Sequence, residues 1–307
     1  MSAGWPRLPF EAWRATCDTL HCHTQVLGKL AVRLAPPEPQ LQHAALRLTA
    51  RGWETSLLPA PDGSGAIVAA LDLRTHEALV EHSDGRAGRV ALAPDRSVAA
   101  VTGELVALAR ELCGGELELD LRPQETPWTT PLDEDEEHAT YDPAQVATYF
   151  DVATRVALVL AEVRAPYRGR STPVNAWWGS FDLAVNLFSG APAAPPSEDF
   201  IMRNAMDSQE VALGWWPGDE RYPKAAFYAY AHPAPEGFAA AQLEPRAARW
   251  DEALGEYVLD WDDVVAAGDP HAAAVAFARA AFGHACSVCD WDPALAASAH
   301  GSPPPIR

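Results

Sequence analysis

The stretch Leu183-Ala184-Val185-Asn186-Leu187 repeats four of the five residues of Leu30-Ala31-Val32-Arg33-Leu34. Both stretches are short apolar runs of the kind that forms a buried strand. Each is followed by further strand-like runs and then by an amphipathic helix that begins at an aspartate, Asp95 in the first half and Asp269 in the second. Because this order of elements recurs together with the short match, the sequence predicts an internal duplication.

The predicted fold is α+β, with two similar strand-rich halves packed about a pseudo-twofold axis. Each half is expected to be a mainly antiparallel sheet closed by an amphipathic helix. We place the halves at residues 1–125 and 126–300, followed by a flexible tail at 301–307. Strands are predicted at 25–34, 44–55, 66–73, 78–82, 89–93 and 116–121, and then at 174–178, 181–188, 209–216, 225–231 and 256–261.

Composition excludes several classes of partner. The net charge is -19, and no cluster of Lys and Arg suits a nucleic acid or an anionic membrane. No apolar run approaches the roughly 20 residues that span a bilayer, and the N-terminus lacks a signal-peptide pattern. The five cysteines, an odd number, favour a reducing compartment. We therefore expect a cytoplasmic protein, and only two lysines among 23 basic residues indicate a G+C-rich bacterial genome.

Several motifs occur in an order that resembles one family. They include Thr19-Leu-His21-x-x-x-Gln25-x-x-Gly28-Lys29, Thr49-Ala-Arg51-Gly52, His138-Ala-Thr-Tyr141-Asp142-Pro143, Trp178-Gly179-Ser180-Phe181-Asp182, Trp216-Pro217-Gly218 and Tyr228-Ala229-Tyr230. The chain resembles the uncharacterised bacterial domain-of-unknown-function family 5996 from Trp5 to about Trp291. The resemblance implies no activity, because the family has none assigned.

Two departures from the family pattern bear on chemistry. Asn175 follows Pro173-Val174 where the resemblance implies a histidine, and Gln209 replaces a second histidine in front of Glu210-Val211. Asparagine and glutamine can hydrogen-bond a ligand, but they cannot transfer protons near neutral pH. If the family's histidines bind metal or move protons, this chain has changed that chemistry.

Four residues are candidates for catalysis: His21, His138, Asp182 and Glu210. Either histidine suits proton transfer, and either carboxylate suits the orientation of a substrate. The alternatives are a buried histidine bonded to backbone, a histidine beside a solvated acidic loop at 133–137, and a buried ion pair at Glu210.

Seven further residues are candidate ligand contacts: Gln25, Arg51, Tyr141, Asn175, Trp178, Ser180 and Gln209. Gln25 lies one helical turn from His21, and Arg51 suits an anionic substrate. On a strand, Trp178, Ser180 and Asp182 would share one face and form an aromatic floor beside a hydroxyl and a carboxylate. The alternative is a strand whose tryptophans fill the core, with a bend at Gly179-Ser180.

The sequence predicts no cofactor and no bound metal. Phosphate-binding, dinucleotide-binding, H-E-x-x-H and G-x-S-x-G motifs are absent from the sequence. The pair Cys286-x-x-Cys289 comes at a predicted helix end, whereas a redox pair needs a helix start, and zinc would need two further ligands. We expect reduced, metal-free cysteines.

The leading hypothesis is a small-molecule enzyme that uses acid–base chemistry in a polar, aromatic cleft between the two halves. One alternative is a non-catalytic protein that binds a small ligand. Another is a metal-assisted enzyme with His21, His138 and another histidine, such as His76, as ligands. The sequence does not decide among them, and it leaves open whether the protein is a homodimer.

Overall fold

The computed structural model describes residues 4–114 and 117–298. The helices are α1 Phe10–Leu34, α2 Val98–Cys113, α3 Pro143–Arg164, α4 Phe200–Ala205, α5 Trp261–Ala266, α6 Pro270–Val288 and α7 Pro293–Ser298. The strands are β1 Arg47–Leu48, β2 Gly52–Glu54, β3 Leu58–Pro59, β4 Ala66–Asp72, β5 Glu77–His82, β6 Ala87–Ala91, β7 Asn175–Trp177, β8 Asp182–Pro192, β9 Ser208–Trp216, β10 Ala226–His232, β11 Arg249–Asp251 and β12 Glu256–Asp260. The α+β class is confirmed, with two antiparallel sheets of six strands among the described residues.

The predicted strand at 25–34 is wrong, because this segment is the second half of α1. Trp13, Leu20, Leu27 and Ala31 are all buried, and their steps of seven and four residues follow the helical repeat. No glycine or proline interrupts the segment in a way that would end the helix. Residues 30–34 are therefore helical whereas 183–187 lie in β8, so the short match joins two unlike structures.

The first sheet is an antiparallel meander in the order β1-β2-β4-β5-β6, with β3 also paired to β4. Helix α2 follows it and packs on β5 and β6. Its cap is Ser97, whose side chain accepts from the Ala100 amide, and not the predicted Asp95. Gly114 ends the helix in the left-handed conformation. The strand predicted at 116–121 is not formed at 117–121, and Glu116 lies outside the described residues.

The second sheet is also a meander, and its strands from β8 onward follow the order β11-β12-β10-β9-β8. Helix α6 packs on β9 and β10, and its buried residues are mostly alanine and phenylalanine. Asp269 caps this helix by accepting from the Ala272 amide, as the sequence predicts. The apolar residues of β9 and β10, including Trp215 and Phe227, are buried.

The chain divides into two compact units. The N-terminal unit comprises Glu11–Asp151 and Asn175–Phe181, and the C-terminal unit comprises Met1–Phe10, Val152–Val174 and Asp182–Arg307. The predicted boundary at residue 125 does not coincide with this division, because the turn after β7 belongs with the first helix and sheet. The predicted tail at 301–307 lies outside the described residues. No described helix is both long and apolar enough to cross a membrane.

Candidate functional site

His21 and Gln25 project from α1 of the N-terminal unit onto the turn after β7. The His21 Nε2 lies 2.9 Å from the Trp178 carbonyl oxygen and 3.0 Å from that of Gly179, so this nitrogen carries the hydrogen. The Gln25 amide donates to the carbonyl oxygens of Trp178 and Gln124, and its oxygen accepts from the Gln124 amide. Both side chains therefore satisfy backbone groups of the chain segments that pack on α1.

Trp178 packs on the same helix. Its ring lies so close to Gly28 that a Cβ at that position would overlap it. Its indole nitrogen donates to the Ala44 carbonyl oxygen at 3.0 Å, and the Lys29 ammonium lies 5.4 Å from the ring centroid. His21, Gln25 and Gly28 therefore lie on one face of α1, and the turn after β7 packs against that face.

The predicted shared face of Trp178, Ser180 and Asp182 is wrong, because the strand is interrupted. β7 ends at Trp177, β8 begins at Asp182, and Phe181 between them has φ +56°. Trp178 is buried while Ser180 is exposed. Phe181 stacks on His21, Trp53 and Tyr149, with ring centroids 4.9–5.3 Å apart. This aromatic stack belongs to the core of the N-terminal unit.

Three other predicted ligand contacts have protein partners in this unit. Asn175 is buried, accepts from Arg47 and donates to Gln42. Arg51 pairs with Glu81 at 3.0 Å and with Glu54 at 3.3 Å, so two carboxylates already match its charge. The Tyr141 hydroxyl lies 3.0 Å from His76 Nδ1, and burial raises the tyrosine pKa well above its usual range.

His138 is held by an aspartate that sequence reasoning missed. Asp135 is 3% exposed, although the acidic run at 133–137 was expected to be a solvated loop. Its Oδ2 lies 2.7 Å from His138 Nδ1. Trp128 contacts both His138 and His21, with centroid separations of 4.7 and 5.4 Å. The only trace in the sequence is the three-residue spacing from Asp135 to His138, which suits a turn closed by the carboxylate.

The histidine set His21, His76 and His138 does not form a metal site among the described residues. The one group there with ligand atoms within 4.8 Å of one another is Cys22, Asp135 and His138. His76 faces Tyr141, and His21 is bonded to backbone carbonyls. The metal-assisted hypothesis with three histidines is therefore wrong in its choice of ligands.

Asp182, Gln209 and Glu210 belong to the C-terminal unit, on a sheet with one polar, aromatic face. The register pairs Tyr228 with Gly214 and with Val258, and alternate residues of a strand share a face. The face carries Asp182 and Asn186 from β8, Glu210 and Trp216 from β9, Tyr228, Tyr230 and His232 from β10, and Glu256 and Asp260 from β12. Three motifs far apart in the chain therefore meet on one surface.

Tyr228 lies across this face and donates to Asp182 Oδ2 at 2.5 Å. A Cβ at Gly214 would overlap the tyrosine ring, so glycine is required beneath it. Burial and then the charge of Asp182 raise the pKa of Tyr228 well above its usual value. The hydroxyl therefore stays protonated and remains a donor. Tyr230 stacks on Tyr228, and Trp216 meets Tyr228 edge-on.

Glu256 is a carboxylate of this face with an unusual pKa. Burial, followed by the negative charge of Asp182, raises its pKa to about 7 from the ordinary 4.5. Within the described residues it makes no side-chain hydrogen bond or ion pair, and Arg221 only partly offsets the shift. Its carboxyl group is therefore divided between acid and base near neutral pH, as general acid–base catalysis requires.

Glu210 shares part of this behaviour. It is 2% exposed, and burial raises its pKa to about 7 despite a hydrogen bond from Asn186 and the charge of Arg170. The alternative of a buried ion pair is not borne out, because Glu210 forms no ion pair among the described residues, and the carboxylate partners of Arg51 are Glu54 and Glu81. Glu210 is thus a buried acid.

Gln209 lies beside a shallow pocket of about 280 Å³. Its side-chain oxygen accepts from the Ser189 hydroxyl at 3.0 Å. His232 and Cys289 also line the pocket.

All five cysteines are free, and burial raises the pKa of Cys286 to about 12, which leaves that thiol protonated. That Cys286 and Cys289 bind no metal stays a prediction.

Sequence reasoning overlooked Glu256 and Asp260. The available signal is the alternation in Glu256-Tyr-Val-Leu-Asp260, which places both carboxylates on one side of a strand. The alternation of Tyr228 and Tyr230 gives the same signal for the neighbouring strand. What the sequence lacks is the register, which brings these strands beside Asp182.

The fold and this face define an α+β protein of two meander sheets, one of which bears buried carboxylates among aromatic rings. The chain belongs to the family of unknown function DUF5996, whose model matches residues 5–298. The family resemblance stated from the motifs is therefore confirmed. Comparisons with curated proteins and with solved structures found no match.

Proposed function

We propose that the protein is an enzyme that performs acid–base chemistry on a small cationic molecule at the Glu256 face of the C-terminal unit. The main support for this proposal is that the Glu256 carboxyl group has a pKa of about 7 and no ion-pair partner among the described residues. General acids and bases work best when their pKa lies near the working pH. Perturbed carboxylates also concentrate at functional sites.

The chemistry of the surrounding side chains favours a cationic ligand. Trp216, Tyr228 and Tyr230 are only partly buried and present aromatic rings beside Asp182 and Glu256. Aromatic faces attract ammonium groups, and a carboxylate adds a charge-assisted hydrogen bond or direct attraction. A small amine therefore suits the site better than a phosphate or a carboxylic acid.

Choline is a suitable probe because its charge does not change with pH. Its neutral isostere, in which carbon replaces the ammonium nitrogen, has the same shape without the charge. We expect choline to bind the full chain more tightly at pH 8 than at pH 6, because Glu256 ionises between them. Isothermal titration calorimetry measures both affinities, and the isostere should bind weakly at each pH.

Variants separate this site from general electrostatic attraction. Glu256→Gln should remove the rise in choline affinity with pH, whereas Lys224→Gln, a charge change on an exposed side chain bonded to Asp260, should preserve it. Choline binding with the same pH dependence in Glu256→Gln would overturn the assignment. Catalysis is then tested by nuclear magnetic resonance in deuterium oxide. Exchange of carbon-bound hydrogen in a panel of small amines should occur with wild type and stop in Glu256→Gln.

The second candidate is a binding protein without catalysis. It is favoured by the Asp182 carboxylate, which already accepts a hydrogen bond from Tyr228 and thus fixes the position of that aromatic ring. The replacement of two family histidines by Asn175 and Gln209, implied by the resemblance, points the same way. Choline affinity that depends on Glu256, without hydrogen exchange in any amine, would support this candidate instead.

We also infer that the protein acts in the bacterial cytoplasm, a reducing compartment that suits its five free cysteines.

We further infer that the two units arose by duplication. In support, each unit contains an antiparallel meander followed by a helix that packs on it, α2 in one and α6 in the other. The short sequence match does not support the inference, because its two copies differ in structure. Superposition of the two meanders with their helices tests it, and opposite strand order or handedness would contradict it.

A further inference from the structure

A thiol, a carboxylate and an imidazole converge in the core of the N-terminal unit. Cys22 is fully buried in α1, and its Sγ lies 4.0 Å from Asp135 Oδ2. The same oxygen lies 2.7 Å from His138 Nδ1. The three ligand atoms lie within 4.8 Å of one another. Zinc binds sulfur at about 2.3 Å and nitrogen or oxygen at about 2.0–2.2 Å, so a tetrahedral ion fits among them after small shifts.

The loop that supplies two of the three groups is held by its own hydrogen bonds and by the start of α2. Asp135 Oδ1 accepts from the amides of Glu137 and His138, both at 3.0 Å. The carbonyl oxygens of Asp135 and His138 accept from the amides of Ala99 and Val98 at the start of α2. The backbone therefore fixes the carboxylate and the imidazole against Cys22, as a pre-organised site requires.

The region around the three groups also contains an unsatisfied polar atom. His23, the neighbour of Cys22 in the sequence, is buried, and its Nδ1 has no hydrogen-bond partner in the described structure.

We propose that Cys22, Asp135 and His138 bind one transition-metal dication of the zinc class, with water at the fourth position. The thiolate and imidazole favour zinc or cobalt over magnesium and calcium, which prefer oxygen ligands. Access is from the His138 side, since the His138 side chain is 13% exposed and that of Asp135 only 4%. This site lies in the N-terminal unit and does not depend on the proposed function.

The test uses the full chain, treated with a chelator and titrated with cobalt and then zinc. We expect one cobalt ion per chain, an intense near-ultraviolet charge-transfer band from the thiolate, and visible bands typical of four-coordinate cobalt. Zinc should displace the cobalt. Absence of the charge-transfer band, or zinc binding without one-to-one saturation, would overturn the proposal.

Matched variants identify the ligands. Cys22→Ser should abolish the charge-transfer band, and Asp135→Asn should weaken cobalt binding more than about 10–100-fold, the loss that outer-shell partners alone produce. The asparagine retains the oxygen that accepts from the two loop amides. Cys17→Ala, a change of another buried cysteine of α1, should leave the band intact. If Cys22→Ser does not fold, Asp135→Asn with circular dichroism decides, and unchanged cobalt affinity in a folded variant refutes the site.

Discussion

Glu256 and Asp260 are carboxylates of the same strand, four residues apart and on the same face, yet their environments differ in kind. Asp260 accepts from Tyr222, from Lys224 at 2.9 Å and from Arg249 at 3.2 Å. Burial alone would raise its pKa, but these bonds and charges outweigh burial and lower it. Glu256 has no such partners among the described residues, and its pKa rises to about 7.

The difference shows that burial by itself does not decide what a carboxylate does. Burial disfavours the charge of both carboxylates, but Tyr222, Lys224 and Arg249 stabilise the ionised form of Asp260. Burial and then the charge of Asp182 favour the neutral form of Glu256. The pKa of the first carboxylate is therefore lowered, and that of the second is raised.

The largest expected effect on stability is that of Gly214→Ala, which changes the packing beneath Tyr228 on the same face as Glu256. The added Cβ would overlap the Tyr228 ring and displace it from Asp182. We expect a loss of about 3 kcal/mol in the free energy of unfolding, measured by urea denaturation at pH 7. Gly103→Ala, a helical position with free space around it, is the control and should change stability little. An unchanged free energy of unfolding in Gly214→Ala would show that the position of Tyr228 does not contribute to stability.

Asp260→Asn should have the next largest effect, because it removes the charge that three donors share. We expect a loss of about 2 kcal/mol at pH 7. Since the folded-state pKa of Asp260 lies below 3.8, this stabilisation is complete above that pH and disappears as the pH falls through the folded value. The gap between wild type and variant in urea denaturation should therefore narrow in acid. A constant gap would mean that packing, not charge, stabilises this end of the sheet.

Glu256→Gln should have the smallest effect on stability, with the opposite pH dependence. Folding raises the Glu256 pKa from 4.5 to about 7, so the protein loses stability as the pH rises across this window. The glutamine variant does not lose this stability, because its side chain does not ionise. We expect equal stabilities near pH 4.5 and an advantage of about 1–2 kcal/mol for the variant at pH 8, somewhat less than the full shift implies because the group is partly solvated. Parallel pH profiles for the two proteins would refute the raised pKa.

Much of the secondary structure was predictable from the sequence, since its signals are local. Asp269-Pro270 starts a helix and Gly114 ends one, because capping and backbone freedom depend on neighbouring residues alone. The error at 25–34 came from a short apolar run, which does not distinguish a buried strand from a buried helix. The error at Trp178, Ser180 and Asp182 came from a left-handed residue, Phe181, which interrupts the alternation.

The candidate site was predictable only in part. Asp182 and Glu210 were found as carboxylates next to apolar runs, but Glu256 was not, because nothing near it in sequence has unusual chemistry. His21 and Gln25 were expected to face a ligand, and they face backbone carbonyls instead. Residue type shows what a side chain can do, whereas its partner comes from a segment more than 150 residues away.

The sequence by itself determined the family, the α+β class, most strands and the start of α6, because these depend on composition, motifs and local periodicity. Only the tertiary structure decided which carboxylate is paired and which has a raised pKa. Strand register places Glu256 on the same face as Tyr228 and Asp260 beside Lys224, and side-chain contacts place Cys22 beside Asp135 and His138. Protonation depends on burial and on charges within a few ångströms, and those distances exist only once the chain has folded.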